Sequence, residues 1–280
     1  MEAYTSFAKV YDTFMDETPY EEWGMRIREM IDKYGVSKPC TEDGVKTVDV
    51  TDEASEDNAL VSERNLVVDL GCGTGAMTEL LYSYGYDMIG VDNAEEMLSI
   101  AMEKKMQQCS SILYLLQDMR ELELYSTVGT FVSVCDSLSY LLEEEDLLET
   151  FKRVDNYLYP GGVFIFDFNT VYKYETVIGD TTIAETRDDC SFIWENFYHP
   201  EEEINEYDLT LFVEEEEGLY RKFTETHYQR GYTLEQMQKI ANEVGLEWVY
   251  DMDADTCGEV DECTERVFAV VRECKKQVHK

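Results

Sequence analysis

The chain has 280 residues, 44% of them hydrophobic and 12% aromatic, with only 4 Pro and 16 Gly. That excludes a wholly disordered or collagen-like polymer and suits one enlarged α/β domain, or one domain carrying a subdomain. A formal charge of −38, from 61 Asp and Glu against 23 Lys and Arg, repels phosphate backbones and anionic lipid, so neither nucleic acid nor a membrane is expected as a partner. From Ser6 to Tyr34 the residues Phe7, Val10, Tyr11 and Phe14, then Trp23, Ile27, Met30 and Ile31, recur at helical spacing, which predicts helix closed by Gly35. Residues 36–64 carry Pro39, Gly44 and many Asp, Glu, Ser and Thr, so a surface loop or weak hairpin is expected there.

The apolar run Leu66-Val67-Val68-Asp69-Leu70 reads as a strand buried on both faces. Glycine-rich residues 71–75 follow, then a helix over 76–84 stopped by Gly85. Strands at 88–91, 112–116, 130–135 and 163–168 alternate with helices at 94–106 and 144–158, which predicts a parallel, doubly wound sheet. The alternation stops after Asn169. Period-two patterning over 181–230, with Phe192, Trp194, Phe197, Leu209, Leu211 and Val213, predicts an antiparallel β insertion. Thr233 and Gln236 form a capping-box pair opening a last helix, and a strand at 267–271 ends the pattern.

Other features bound the chemistry. No run approaches the ~18 apolar residues of a membrane helix, and Met1-Glu2-Ala3-Tyr4 lacks the basic-then-apolar layout of a signal peptide. A cytoplasmic location and reduced thiols are therefore expected. None of the 8 cysteines is in CxxC spacing, and Cys257 and Cys263 have no His close by, so no metal site is expected. The acidic runs read as solvated helix ends and turns. The acidity as a whole reads as a soluble surface, with halophilic adaptation as the alternative.

The strongest motif is Val68-Asp69-Leu70-Gly71-Cys72-Gly73-Thr74-Gly75, a strand entering a glycine turn before a helix. Glycines let the backbone turn tightly and let a ligand approach amides that a Cβ would block. Asp92 ends the next strand, placed to accept both hydroxyls of a ribose, and Asp118 follows the third, placed to accept from an adenine amino group. The turn is GxGxG with Ala76 in place of a third spaced glycine, and it holds no basic residue. That suits a ligand without phosphates, such as a nucleoside bearing an amino-acid tail and a sulfonium.

This stretch, with Asp92 and the Gln117-Asp118 pair, resembles the class I S-adenosylmethionine-dependent methyltransferases over roughly residues 65–170. The opening Tyr4…Tyr11-Asp12…Tyr20…Trp23 and the aromatic insertion resemble a bacterial small-molecule subgroup that includes sugar-amine N,N-dimethyltransferases and glycine-type N-methyltransferases. The resemblance implies a Rossmann-like α/β fold: a seven-stranded sheet with the last strand antiparallel, strand six falling at 246–252. It divides the chain into an N-terminal helical lid (1–35), an acidic linker (36–64), the cofactor-binding core (65–170), a β insertion over the substrate (171–232) and the rest of the core (233–280). The long 36–64 connection departs from the family's usual short one.

By the same resemblance S-adenosyl-L-methionine is the cofactor. Gly71, Gly73 and Gly75, with Cys72 and Thr74 between them, line its methionine portion while Asp69 holds the loop. Asp92 takes the ribose beside Asn93 and Met97, and Gln117, Asp118 and Met119 surround the adenine. Cys135 is a buried wall, and Tyr11 and Trp23 cover the sulfonium from the lid by cation–π contact. Tyr11, Tyr140 and His227 are the candidates for orienting the acceptor; relatives place a histidine where Tyr140 falls. His199 is expected to be exposed and His279 to be an inert tail residue. The segment after the fourth strand lacks the Asn/Asp-Pro-Pro-aromatic signature of base and amide methylation. The function expected is methyl transfer to N or O of a small-molecule acceptor, by a monomer or homodimer. The alternatives are an RNA or protein methyltransferase, or a non-catalytic cofactor-binding module.

Overall fold

In the computed structural model, which describes residues 4, 7–42, 45–46, 56–216 and 218–277, the first segment is two helices rather than one. These are α1 (Ala8–Phe14) and α2 (Tyr20–Tyr34). Proline disfavours the helical conformation of the residue before it, so Pro19 ends any continuation through Thr18. Glu21 and Glu22 in the first turn of α2 and Lys33 in its last match the helix dipole. Trp23, Ile27, Met30 and Ile31 bury one face of α2 against Phe268 and Val270, which makes this helix a layer of the core.

The 36–64 region also departs from expectation. A hairpin of two short strands, β1 (Thr41–Glu42) and β2 (Val45–Lys46), is present, but Glu56–Asn65 forms a helix, α3. Leu60 and Val61 are exposed, so α3 has no apolar stripe for a sequence pattern to reveal. Polar contacts at its end seat it instead. The buried Ser37 hydroxyl donates to the Arg64 carbonyl at 3.0 Å and pairs with Thr130 Oγ1 at 2.8 Å. Gly129 allows this approach, since a Cβ there would lie 1.7 Å from the Arg64 oxygen. Residues 43–44 and 47–55 of the expected loop, and His279, lie outside the described residues.

Strands β3 (Leu66–Leu70), β4 (Asp87–Asp92), β5 (Leu113–Leu116), β6 (Val128–Ser133) and β7 (Leu158–Asn169) pair in parallel. Helices α4 (Ala76–Ser83), α5 (Glu95–Gln108) and α6 (Glu144–Tyr157) connect them. Four antiparallel strands follow and form their own sheet: β8 (Thr182–Thr186), β9 (Cys190–His199), β10 (Ile204–Glu216) and β11 (Leu219–Arg230). Helix α7 (Leu234–Val244) opens on the expected Thr233 and Gln236 capping box. It leads to β12 (Glu247–Asp253) and β13 (Arg266–Arg272). The central sheet runs β12-β13-β7-β6-β3-β4-β5, with β13 antiparallel to both neighbours. It is the seven-stranded sheet with its last strand antiparallel that the family resemblance implies.

Alternation along β7 divides the core between the two faces of the sheet. Phe164, Phe166 and Phe168 pack with Phe151 of α6 on one face, while Val163 and Ile165 meet α2 on the other. Chain order reverses direction between β3 and β6, which opens a crevice at the carboxyl ends of the strands. The four-stranded sheet sits against α1, where Phe7 and Val10 pack with Phe192, Tyr207, Leu209 and Leu211. No helix among the described residues is long and apolar enough to cross a membrane.

Candidate active site

A cavity of about 660 Å³ occupies this crevice. Its floor is the turn after β3, where Gly71, Gly73 and Gly75 have φ of 73°, 53° and 77°, a region most side chains avoid. Beyond its chain neighbours, no atom of the described residues stands within 4 Å of where a Gly73 Cβ would be, so that peptide faces open space. The turn is fastened from β4: Asp92 Oδ2 accepts the Gly73 amide and Oδ1 the Ala94 amide, both at 2.8 Å. Burial raises the Asp92 carboxyl, against the lowering effect of these amides. Asp69, at the end of β3, is buried, accepts from Thr78 Oγ1 at 2.6 Å, and is pushed up to about 7 by burial.

Asp69, Gly71, Cys72, Gly73, Thr74 and Asp92 all line the cavity, as do Asn93, Met97, Gln117, Asp118, Met119 and Cys135. Their polar atoms differ in what is left for a ligand. Gln117 spends its side-chain amide on both backbone groups of Glu123. Asp118 is gripped by Arg120 through Nε at 3.0 Å and Nη2 at 2.6 Å, which lowers its carboxyl below the ordinary range. Cys135 is held by burial as a neutral thiol. Among the described residues, the charged groups on the lining are acidic apart from Arg120, which also pairs with Asp146. An open amide turn, an acid at the end of β4 and no free cation among the described residues fit a nucleoside ligand that carries positive charge and no phosphate.

The comparisons agree with this chemistry. Residues 67–162 match the model of the methyltransferase domain family. The protein of Bacillus subtilis (strain 168) named "Putative methyltransferase YqeM" is 33% identical over 276 residues, covering 97% of this chain and 98% of the relative. The chain belongs to the class I S-adenosylmethionine-dependent methyltransferases. The crystal structure of such an enzyme from Clostridium acetobutylicum ATCC 824 has a TM-score of 0.78 at 28% identity and covers 98% of this chain and 100% of its own. S-adenosylmethionine-bound CalS10, an amino pentose methyltransferase from Micromonospora echinaspora, shares the fold at a TM-score of 0.64 and 15% identity, covering 98% of each chain.

Three of the residues singled out in this methyltransferase's sequence stand away from the cavity wall. Gly75 is the N-cap of α4, where a Cβ would meet Tyr114 Oη at 2.5 Å. Trp23 belongs to the core of α2, packed edge-on to Phe268 with the Arg266 guanidinium 5.2 Å from its ring. Arg266 is held there by Asp136 and Asp167, so the cation over Trp23 is the protein's own. His227 is buried and reaches the cavity through Tyr140, whose hydroxyl lies 3.1 Å from Nδ1. His199 is exposed beside Glu206.

Tyr11 and Tyr140 do line the cavity, joined by two residues outside the list of candidates, Tyr4 and Tyr20. Their hydroxyls are all held in the neutral form by burial. The tyrosine spacing at the N-terminus was visible as a resemblance, but nothing local tells which rings point inward. A clamp between α1 and the glycine turn has no sequence signal at all. Thr74 Oγ1 donates to Asp12 Oδ1 at 2.7 Å, and Lys104 Nζ binds Asp12 Oδ2 at 2.7 Å and Thr74 Oγ1 at 3.0 Å.

Proposed function

We propose that this methyltransferase acts on nitrogen or oxygen of a small-molecule acceptor. The observation that carries the reading is the division of the cavity. One side is the amide turn with Asp92, and the other is a wall of neutral tyrosine rings from Tyr4, Tyr11, Tyr20 and Tyr140. Aromatic walls with a few polar tips suit a small amphiphilic ligand, and the net charge of −38 opposes a nucleic-acid acceptor. That an amino pentose methyltransferase shares the fold is in keeping with such an acceptor.

In this reading Gly71, Gly73 and the residues between them hold the methionine portion, Asp92 with Asn93 the ribose, and Asp118 with Met119 the base. Bound S-adenosylmethionine supplies a methyl group already activated by its sulfonium. What remains for the chain is to hold the acceptor in line, exclude water and manage a proton. Proximity and orientation of this kind contribute on the order of 7–11 kcal/mol to the barrier. Met97 and Ala94 close the roof against Ala8 of α1, and the Asp12 clamp fixes α1 over the turn.

The test is product analysis with a methyl-labelled cofactor over amines, amino sugars, hydroxy acids, RNA and protein. Label appearing in small amines or alcohols, with stoichiometric S-adenosylhomocysteine, is the expected result. Label confined to RNA or protein would defeat the small-molecule assignment. S-adenosylhomocysteine binding without turnover of any acceptor would favour a binding module.

A further inference from the structure

Four titratable side chains stand in a row that begins with two members of the tyrosine wall and runs inward. Tyr4 Oη lies 2.6 Å from Tyr140 Oη, Tyr140 Oη 3.1 Å from His227 Nδ1, and His227 Nε2 3.3 Å from Glu225 Oε2. Glu225 also accepts the backbone amides of Tyr4 at 2.9 Å and Phe7 at 3.0 Å. The row therefore closes on the segment that supplies its outer end. Tyr207 stacks on the His227 ring at 4.8 Å between centroids and places its own hydroxyl 2.7 Å from Tyr140. His227 and Glu225 are 1% and 3% exposed. Among the described residues, the titratable groups facing His227 are thus Tyr4, Tyr140, Tyr207 and Glu225.

Counting donors and acceptors gives the row a direction. Nε2 of His227 has no hydrogen bond among the described residues, yet it faces a carboxylate oxygen. A nitrogen lone pair there would repel that oxygen, so Nε2 carries the hydrogen, and in the neutral ring Nδ1 then accepts from Tyr140. Tyr140 has one hydrogen and two lone pairs; with its hydrogen on Nδ1, the Tyr4 and Tyr207 hydroxyls fill the remainder. Tyr4 then donates inward and keeps a lone pair for the cavity it lines. Burial holds both the Tyr4 and Tyr140 phenols well above their ordinary value. Neither phenol keeps a negative charge, so a proton received at Tyr4 has to be matched by one passed on.

We propose that Tyr4, Tyr140, His227 and Glu225 form a proton path that deprotonates an ammonium acceptor at Tyr4 Oη. The proposal rests on the cavity being the site of methyl transfer. The acceptor N–H proton passes to Tyr4 Oη, the Tyr4 hydrogen to Tyr140, and the Tyr140 hydrogen to His227 Nδ1. The N–H bonding pair stays on nitrogen as the nucleophile, and the positive charge ends on the imidazole beside Glu225. After product release the row runs backward and returns the proton through the cavity. A charged amine suits the acidic lining, and it delivers to the imidazole a charge that Glu225 balances, where an alcohol would leave an alkoxide behind.

Ring-nitrogen NMR on the full chain with S-adenosylhomocysteine bound reads the direction of the row. The path requires that His227, assigned by its loss in His227→Gln, carry hydrogen on Nε2 and none on Nδ1; hydrogen on Nδ1 overturns it. Turnover is then measured with glucosamine, ethanolamine and benzylamine, against glucose, ethylene glycol and benzyl alcohol. Amines are expected to be methylated, with kcat/KM in Tyr4→Phe and His227→Gln lower on the order of 10²-fold near neutral pH. That deficit narrows as pH rises, because the acceptor then arrives already deprotonated; a merely structural role gives a deficit flat with pH. A flat deficit, unchanged kinetics or an absence of amine turnover overturns the proposal. Failure of the wild-type chain to bind S-adenosylhomocysteine in calorimetry defeats the cofactor reading instead, and variant affinities within about tenfold show the site intact.

Discussion

The two sides of the cavity are built by different means. The side assigned to the cofactor comes from one stretch of chain, Asp69 to Met119, fixed largely by backbone: three positive-φ glycines and amides received by Asp92. The tyrosine side gathers Tyr4, Tyr11, Tyr20 and Tyr140, with His227 behind them, and is fixed by side chains from remote elements. Tyr4 and Tyr11 pack between α1 and a separate sheet, Tyr20 packs on the α2 core, and Tyr140 is held by Tyr4, Tyr207 and His227. A site made of local backbone keeps its geometry while its surroundings vary. A site made of side chains from remote elements changes whenever one of those elements shifts. Acceptor choice is accordingly expected to reside on the tyrosine side.

Substitutions that act on one side and spare the other sharpen this contrast. Trp23→Ala removes a buried ring between α2 and Phe268 and is expected to cost about 3–5 kcal/mol of stability. Cofactor affinity at a temperature where the variant is folded should be unchanged. Thermal unfolding with calorimetry checks both, and an affinity loss would return Trp23 to the cofactor side. Asp92→Ala deletes the acceptor of two backbone amides and of the expected ribose hydroxyls. A loss of about 1.5–3 kcal/mol, roughly ten- to hundredfold in S-adenosylmethionine affinity, is expected, and an unaltered dissociation constant would sink the ribose assignment.

Asp69 offers a pH-dependent test on the same side. Its folded carboxyl, at about 7, binds a proton more tightly than the unfolded chain does at about 3.9. Its contribution to stability is therefore full below the unfolded value, falls as pH rises toward 7, and is level above that. The stability of the wild type relative to Asp69→Asn should drop by on the order of 2 kcal/mol between about pH 5.5 and pH 8. Denaturant titrations at the two pH values measure it, and a constant difference would mean that Asp69 is not desolvated.

The smallest effect is expected at Asp118. Arg120 already occupies both of its oxygens, so Asp118→Asn should weaken cofactor binding by less than about tenfold, under ~1.4 kcal/mol. A loss matching that of Asp92→Ala would show that the ion pair opens to admit the base.

The sequence by itself determined the alternating sheet, the capping box at Thr233, the glycine turn and the acids at the ends of β3 and β4. Each is set by contacts within a few residues or by a period in hydrophobicity, and both survive in a linear text. Only the tertiary structure decided that Trp23 belongs to the core, that Tyr4 and Tyr20 join Tyr11 and Tyr140 in one wall, and that His227 sits behind Tyr140. Apolar spacing shows that a ring is buried but does not show what buries it. The helix α3 escaped for a related reason: it is seated by Ser37 and by the absence of a side chain at Gly129. A glycine inside a strand marks close backbone approach, yet the approaching partner is a distant carbonyl, and only the folded chain brings it there.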